Sequence, residues 1–227
     1  MTWNLRDDNA ILETNLTRVV ACLRESSPSI SLFDKSGNLP GTGVSLQIHP
    51  VDSDLPLLNK GLALGEVYVR QDDVIASYPE RSPWRFGYQL DIRSVHEKDQ
   101  DEVNQKGFMV LEVWLSVQTS LLDSHPEFCI NIGGDSFSEL GNGFWLDSKN
   151  HLALLVHPLD LEDCMISRHA GLNASREIQL KVFGRFMEKG VIRRMRFRLL
   201  VANSASSQEF WIERWNEFSE SPLPLTT

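Results

Sequence analysis

The sequence predicts a mainly β chain folded as an antiparallel β-sandwich of jelly-roll-like character, and three observations predict it. At least nine runs alternate apolar and polar residues with a period of two, the signature of strands buried on one face. Short polar, Gly-, Pro- and Asp-containing stretches join them, and only the two ends hint at helix, which favours a sandwich over an α/β enzyme. No segment of 20 to 50 residues recurs, so propellers and solenoids are excluded. The expectation is one domain over residues 1–227, with residues 1–25 a short helix or arm and residues 219–227 a flexible tail.

Taken in order, Leu12, Leu16, Val19 and Leu23 fall at helical spacing behind Asp7, Asp8 and Asn9, which can cap a helix start. The spacing predicts a short amphipathic helix there, with a strand from Thr17 to Leu23 as its rival. Strands are expected near 29–33 and 43–49, turning around Asp34, Gly37 and Asn38, followed by a loop from Asp52 to Gly61. Val67 and Val69 open a hairpin that turns at Gln71, Asp72 and Asp73. Trp84, Phe86, Tyr88, Leu90 and Ile92 share one strand face, expected to be core, while Arg85, Gln89, Asp91 and Arg93 share the other. After a polar loop from His96 to Gly107, a long strand from Phe108 to Leu122 puts Met109, Leu111, Val113, Leu115 and Val117 on its apolar side. Trp114 lies on the polar side with Glu112 and Gln118, a candidate ligand platform with burial as the plainer alternative. A strand at 127–132, a glycine-rich crossing and a hairpin turning at 147–150 follow. A loop is expected from Leu159 to Ser175, and the stretch from Gln208 to Phe218 fits helix and strand equally.

The stretch over 177–201 reads as a hairpin turning at Lys189 and Gly190, where glycine supplies the positive φ of a tight turn. That register sets Val182 opposite Phe197, Leu180 opposite Leu199 and Ile178 opposite Val201, and gathers Lys181, Arg185, Arg194, Arg196 and Arg198 on one basic face. Residues 176–198 hold eight Lys or Arg and two acidic residues, so the rest of the chain carries a formal charge of −15. Such a ladder is either an anion site, since guanidinium forks match carboxylate or phosphate, or a face paired internally with carboxylates.

Composition bounds the function. With 227 residues, 41% apolar and 23% charged, the chain is long enough for a sizeable core. A net charge of −9 argues against general nucleic-acid binding and against anionic membrane surfaces. The first twenty residues lack a leader pattern and no run is long enough to span a bilayer, so the expectation is a soluble, cytoplasmic protein. Cys22, Cys129 and Cys164 are odd in number and far apart, so no disulfide framework is expected.

Two constellations could carry chemistry. Gly134, Asp135, Ser136 and Phe137, after the strand at 128–132, resemble the nucleophile block of SGNH-type serine hydrolases. That resemblance would also imply an early serine and a late Asp-x-x-His; here the serine lies past the midpoint, that motif is absent, and His151 or His157 would have to serve as base. The second is the run 157–169, where His157, Asp160, Asp163 and His169 form a candidate metal set without the HxH or HxxxH spacing that fixes two imidazoles on one face. No cofactor is specified by any motif. The leading expectation is a non-catalytic binding module for a polar or anionic ligand, a carbohydrate, or a protein partner, with Arg194, Arg196, Arg198, Lys181, Arg185 and Trp114 as its contact residues. A hydrolase or metal-dependent enzyme using the 157–169 run or Ser136 is the alternative, and a homo-oligomer subunit with sheet faces as interfaces is the third.

Overall fold

Two eight-stranded antiparallel sheets pack face to face in the computed structural model, which describes residues 2–15, 17–25, 27–34, 45–52, 62–95, 108–133, 137–147, 151–170, 176–202 and 206–222. Among them no helix is long and apolar enough to cross a membrane. The strands are β1 (Trp3–Arg6), β2 (Asn9–Glu13), β3 (Thr17–Cys22), β4 (Ser29–Asp34), β5 (Ser45–Asp52), β6 (Glu66–Arg70), β7 (Asp73–Tyr78), β8 (Gly87–Val95), β9 (Phe108–Gln118), β10 (Pro126–Gly133), β11 (Phe137–Gly141), β12 (Phe144–Asp147), β13 (Leu152–Val156), β14 (Cys164–Ala170), β15 (Arg176–Phe183) and β16 (Ile192–Ala202). Helix α1 (Pro158–Leu161) precedes β14, and α2 (Gln208–Ser219) follows β16. The first sheet runs β1-β2-β3-β4-β5-β10-β15-β14 and the second β11-β12-β13-β16-β9-β8-β7-β6.

The period of two explains the core. Inward residues such as Leu46, Ile48, Phe128, Ile130, Leu180 and Val182 of the first sheet meet Leu90, Ile92, Leu111, Leu115, Phe197 and Leu199 of the second in one buried cluster. The aromatic face of Trp84, Phe86, Tyr88, Leu90 and Ile92 is core, as its alternation requires. The outward face of the second sheet is half covered. Phe108, Val110, Phe144, Leu155 and Leu200 form a second apolar cluster with Trp211 and Phe218 of α2. Trp211, Trp215 and Phe218 fall at i, i+4 and i+7, so one helix face meets the sheet, and Ser207 Oγ caps the first turn by accepting from the Phe210 N–H at 3.3 Å.

Three sequence expectations are corrected. The amino-terminal segment is β1 to β3, not a helix, because Ala10 and Leu12, and Val19, Ala21 and Leu23, alternate into the core. Asp7 and Asp8, read as caps, are the two central residues of a hairpin turn with φ of 49° and 65°. The run after Pro158 is not simply a loop, since Cys164 to Ala170 forms the edge strand β14 on β15. Met165 is 72% exposed and Ile166 38%, so an edge with so little burial shows no alternation to read. The third correction is the central hairpin. The Gly190 turn exists, with φ of 80°, but β15 pairs with β10 and β14 while β16 pairs with β9 and β13. The chain crosses between sheets at 184–191, so the two apolar faces meet across the core instead of side by side. Alternation says which face of a strand is buried and is silent on which strand lies beside it.

The loops expected over 53–61 and 96–107, the turn over 148–150, Gly134 to Ser136 and the tail from 223 lie outside the described residues.

Candidate functional site

The crossing at 184–191 divides the basic ladder. Lys181 is on the outward face of the first sheet, 3.6 Å from Glu127, and Arg185 reaches Asp163 at 2.7 Å and the Glu162 carbonyl at 3.2 Å. Arg194, Arg196 and Arg198 point outward from β16 on the opposite sheet, so the five cations do not share one face. The register of β16, β9, β8 and β7 arranges that outward face in rows. The first holds Arg198, Glu112, Arg93 and Asp73; the second Arg196, Trp114, Asp91 and Ile75; the third Arg194, Ser116, Gln89 and Ser77.

In the first two rows charge is neutralised within the protein. Arg198 Nε donates to Glu112 Oε2 at 2.5 Å, and Trp114 Nε1 donates to Glu112 Oε1 at 2.6 Å. Arg93 binds both oxygens of Asp91, at 3.2 and 2.8 Å, and its guanidinium lies 3.8 Å from the centre of the Trp114 ring. Trp114 is therefore 9% exposed and buried under arginine, not an open platform. Arg196 is 3% exposed, its guanidinium 5.9 Å from the ring centre of Phe218 near the end of α2. Its backbone N–H donates to Asp160 Oδ2 at 2.9 Å, its Nη1 donates to the Pro222 carbonyl at 3.1 Å, and its Nε lies 3.8 Å from Asp160. Burial, larger than the attraction of Arg196, pushes the Asp160 carboxyl up to about 6.

The candidate metal set is occupied in the same way. His157 Nδ1 accepts from the Leu159 N–H at 3.3 Å and so carries no proton, while Nε2 donates to the Ser221 carbonyl at 3.3 Å. Burial, and then Arg196, push its pKa below the ordinary 6.5, which fits a neutral imidazole capping α1. Asp160 receives the Arg196 N–H, Asp163 is held by Arg185, and the His169 side chain is outside the described residues. Among the described residues no group of three or more His, Cys, Asp or Glu side chains could hold a metal ion. Ser136 also lies outside them.

The third row is different. Arg194 Nε donates to Ser116 Oγ at 3.0 Å and its guanidinium stands 5.2 Å from the Trp114 ring centre. Among the described residues no carboxylate lies within ion-pairing distance of it. It lines an open cleft of about 200 Å³ with Ser77, Gln89, Ser116, Gln118 and Ile192. Hydroxyls, amides and one unneutralised guanidinium, beside an apolar wall of Tyr78, Pro79, Tyr88 and Val117, are what this surface offers a ligand. The alternation put Gln89 and Gln118 on outward faces, and Ser77 follows from the same parity. The join of four strands that makes a cleft of them is not a local feature of the chain.

No protein-family model matches the chain, and no curated protein matches its sequence. Among solved structures it is similar to the heparan sulfate lyase HepC from Pedobacter heparinus. A mutant of that lyase gives a TM-score of 0.41 at 6% identity and the unmutated enzyme 0.38 at 5%, each over 91% of this chain and 37% of the lyase chain. At these scores the likeness bears on neither ligand nor chemistry.

Proposed function

We propose that the chain is a non-catalytic β-sandwich module that binds a polar, anionic small molecule of the acidic-sugar type in the cleft at Arg194. The observation that carries this reading is the contrast along β16. Arg198 is spent on Glu112 and Arg196 is buried beside Asp160, whereas Arg194 faces a cleft of mixed polar and apolar lining with only Ser116 and the Trp114 ring against it. A carboxylate on that guanidinium would gain a charge-assisted contact, and sugar hydroxyls would find Ser77, Gln89 and Gln118 in reach of the same cleft. The acidic balance of the whole chain works against anion binding, so the unneutralised Arg194 guanidinium has to overcome it locally.

The test is calorimetric titration of the full chain with galacturonate and glucuronate, with glucose and xylose as neutral controls. Binding of the uronates alone is expected, and Arg194→Gln should weaken it about 10- to 100-fold, the range for one charged hydrogen bond. Equal binding of neutral sugars, or uronate affinity indifferent to Arg194→Gln, would remove the cleft from consideration.

A further inference from the structure

A second cleft, of about 240 Å³, adjoins the first and shares Arg194 with it; it opens where α1, the end of β15 and the start of β16 converge. Its polar lining is Asp160, Asp163, Arg193 and Arg194, over apolar walls that include Val182, Phe183 and Met195. Two carboxylates and two guanidiniums suggest neutrality at first sight, and the pairing shows otherwise. Asp163 is taken by Arg185 at 2.7 Å, an arginine that does not line the cleft. Asp160 accepts the Arg196 backbone N–H at 2.9 Å and has the Arg196 side chain beside it. Arg193 donates from Nη2 to the Phe186 carbonyl at 2.8 Å, and its Nη1 is buried with no hydrogen-bond partner among the described residues. Among the described residues both guanidiniums of the cleft are thus without a carboxylate. Arg196 Nε and Nη2 are buried without an acceptor among those residues as well, so it is the missing carboxylates, and not the buried donor, that set Arg193 and Arg194 apart.

We infer that the two clefts are one binding site for a ligand carrying at least two anionic groups, one held by Arg194 and the next by Arg193. The inference rests on the Arg194 reading and narrows it, from a single acidic sugar to an oligomeric or otherwise polyanionic ligand. Successive residues of a strand leave it on opposite faces. Arg193 and Arg194 therefore leave β16 on opposite faces, yet both line the second cleft, where one ligand can meet both guanidiniums and extend past Arg194 into the first cleft.

Galacturonate, digalacturonate, inorganic phosphate and pyrophosphate, titrated into the full chain, separate the possibilities. A second contact made within one ligand should tighten binding by at least about tenfold from monomer to dimer. A gain with digalacturonate places the anionic groups on successive sugars, and a gain confined to pyrophosphate places them on adjacent phosphates. Arg193→Gln should erase the gain, bringing dimer affinity down to about that of the monomer, and Arg193→Lys, which keeps the charge, should retain part of it. Thermal melting of each variant checks that the Phe186 contact is not what the change reports. A gain that survives Arg193→Gln, or no gain in the native protein while the monomers still bind, overturns the two-anion site and leaves Arg194 standing. Failure of every anion to bind overturns both.

Discussion

Glu112 decides how much of the arginine ladder is architecture, and replacing it is the most informative perturbation. Its side chain is 7% exposed, and each oxygen has one donor, Arg198 Nε at 2.5 Å and Trp114 Nε1 at 2.6 Å. Glu112→Leu keeps the volume roughly constant and strands both donors on a largely buried face. The indole N–H without an acceptor should cost about 1–3 kcal/mol, and the charged hydrogen bond about 1.5–3 kcal/mol. Together these span about 2.5–6 kcal/mol, which contains the range of about 3–5 kcal/mol measured when one partner of a buried ion pair is removed. For a loss in the latter range, the melting temperature of a chain of this size should fall by about 6–20 °C. Thermal and urea denaturation followed by circular dichroism measure it. A cycle with Arg198→Met isolates the pair, and a coupling of about 2 kcal/mol is expected, because the double variant no longer leaves a cation on that face without its carboxylate. A loss below about 1 kcal/mol with additive single changes would refute the reasoning. Arg198 would then be a solvent-screened cation available to ligands, and the distinction between it and Arg194 would collapse.

Two further outcomes follow from local geometry. At Gly143, φ is 81° and an added Cβ would stand 2.6 Å from Leu161 Cδ1 and 2.8 Å from the Val156 carbonyl oxygen. Gly143→Ala should therefore lose clearly more stability than Gly190→Ala, whose φ of 80° is similar but whose Cβ meets nothing within 4 Å. The latter should cost only the about 1–2 kcal/mol of a left-handed alanine, and equal losses in urea titrations would discount the packing at Gly143. The α1 cap is pH-sensitive with a definite sign. His157 is held below 6.5 in the folded chain, so as pH falls under 6.5 the unfolded state takes up a proton the native state refuses, and stability drops. Asp160, raised from 3.8 to about 6, acts oppositely, since the native state binds the proton first and gains up to about 3 kcal/mol as pH falls from 6 toward 4. In His157→Asn, which keeps an acceptor for the Leu159 N–H, the first effect is gone and stability should rise from pH 6.5 to 4.5 relative to the native chain. Parallel curves for the two proteins would show that His157 does not titrate in this way.

The sandwich was legible because strand alternation reports burial directly. Trp84 through Ile92 and Met109 through Val117 each announce a core face, and each is core. The amino terminus misled because Leu12 and Val19, seven residues apart, satisfy a helical repeat as well as two separate strands joined by a turn. Edge strand β14 was invisible for the opposite reason, since Met165 and Ile166 are largely exposed and leave no pattern. For the site, parity correctly put Arg194, Arg196 and Arg198 on one face of their strand, and Glu112 and Trp114 on one face of theirs. What parity could not supply was the neighbour. Pairing β16 with β9 in place of β15 exchanges Leu180 and Val182 for Leu111 and Val113 on the inside without disturbing the apolar count, yet on the outside it exchanges Lys181 for Glu112 and Trp114.

That exchange carries a general consequence for this fold. The inside of a sandwich tolerates any apolar neighbour of suitable size, so the core is nearly indifferent to which strands are adjacent. The outside is not, because a guanidinium beside lysine is exposed and available while the same guanidinium beside a buried glutamate is sequestered. Along β16 the carboxylates facing successive arginines run from Glu112 opposite Arg198, through Asp160 at the Arg196 backbone, to none among the described residues at Arg194. Neutralisation thus decreases toward the end of the strand at which both clefts open. Arg194, Arg196 and Arg198 are equivalent in the sequence and graded in the fold, and the one of them that meets ligand on this reading, Arg194, lies with Arg193 nearest the crossing from the first sheet to the second.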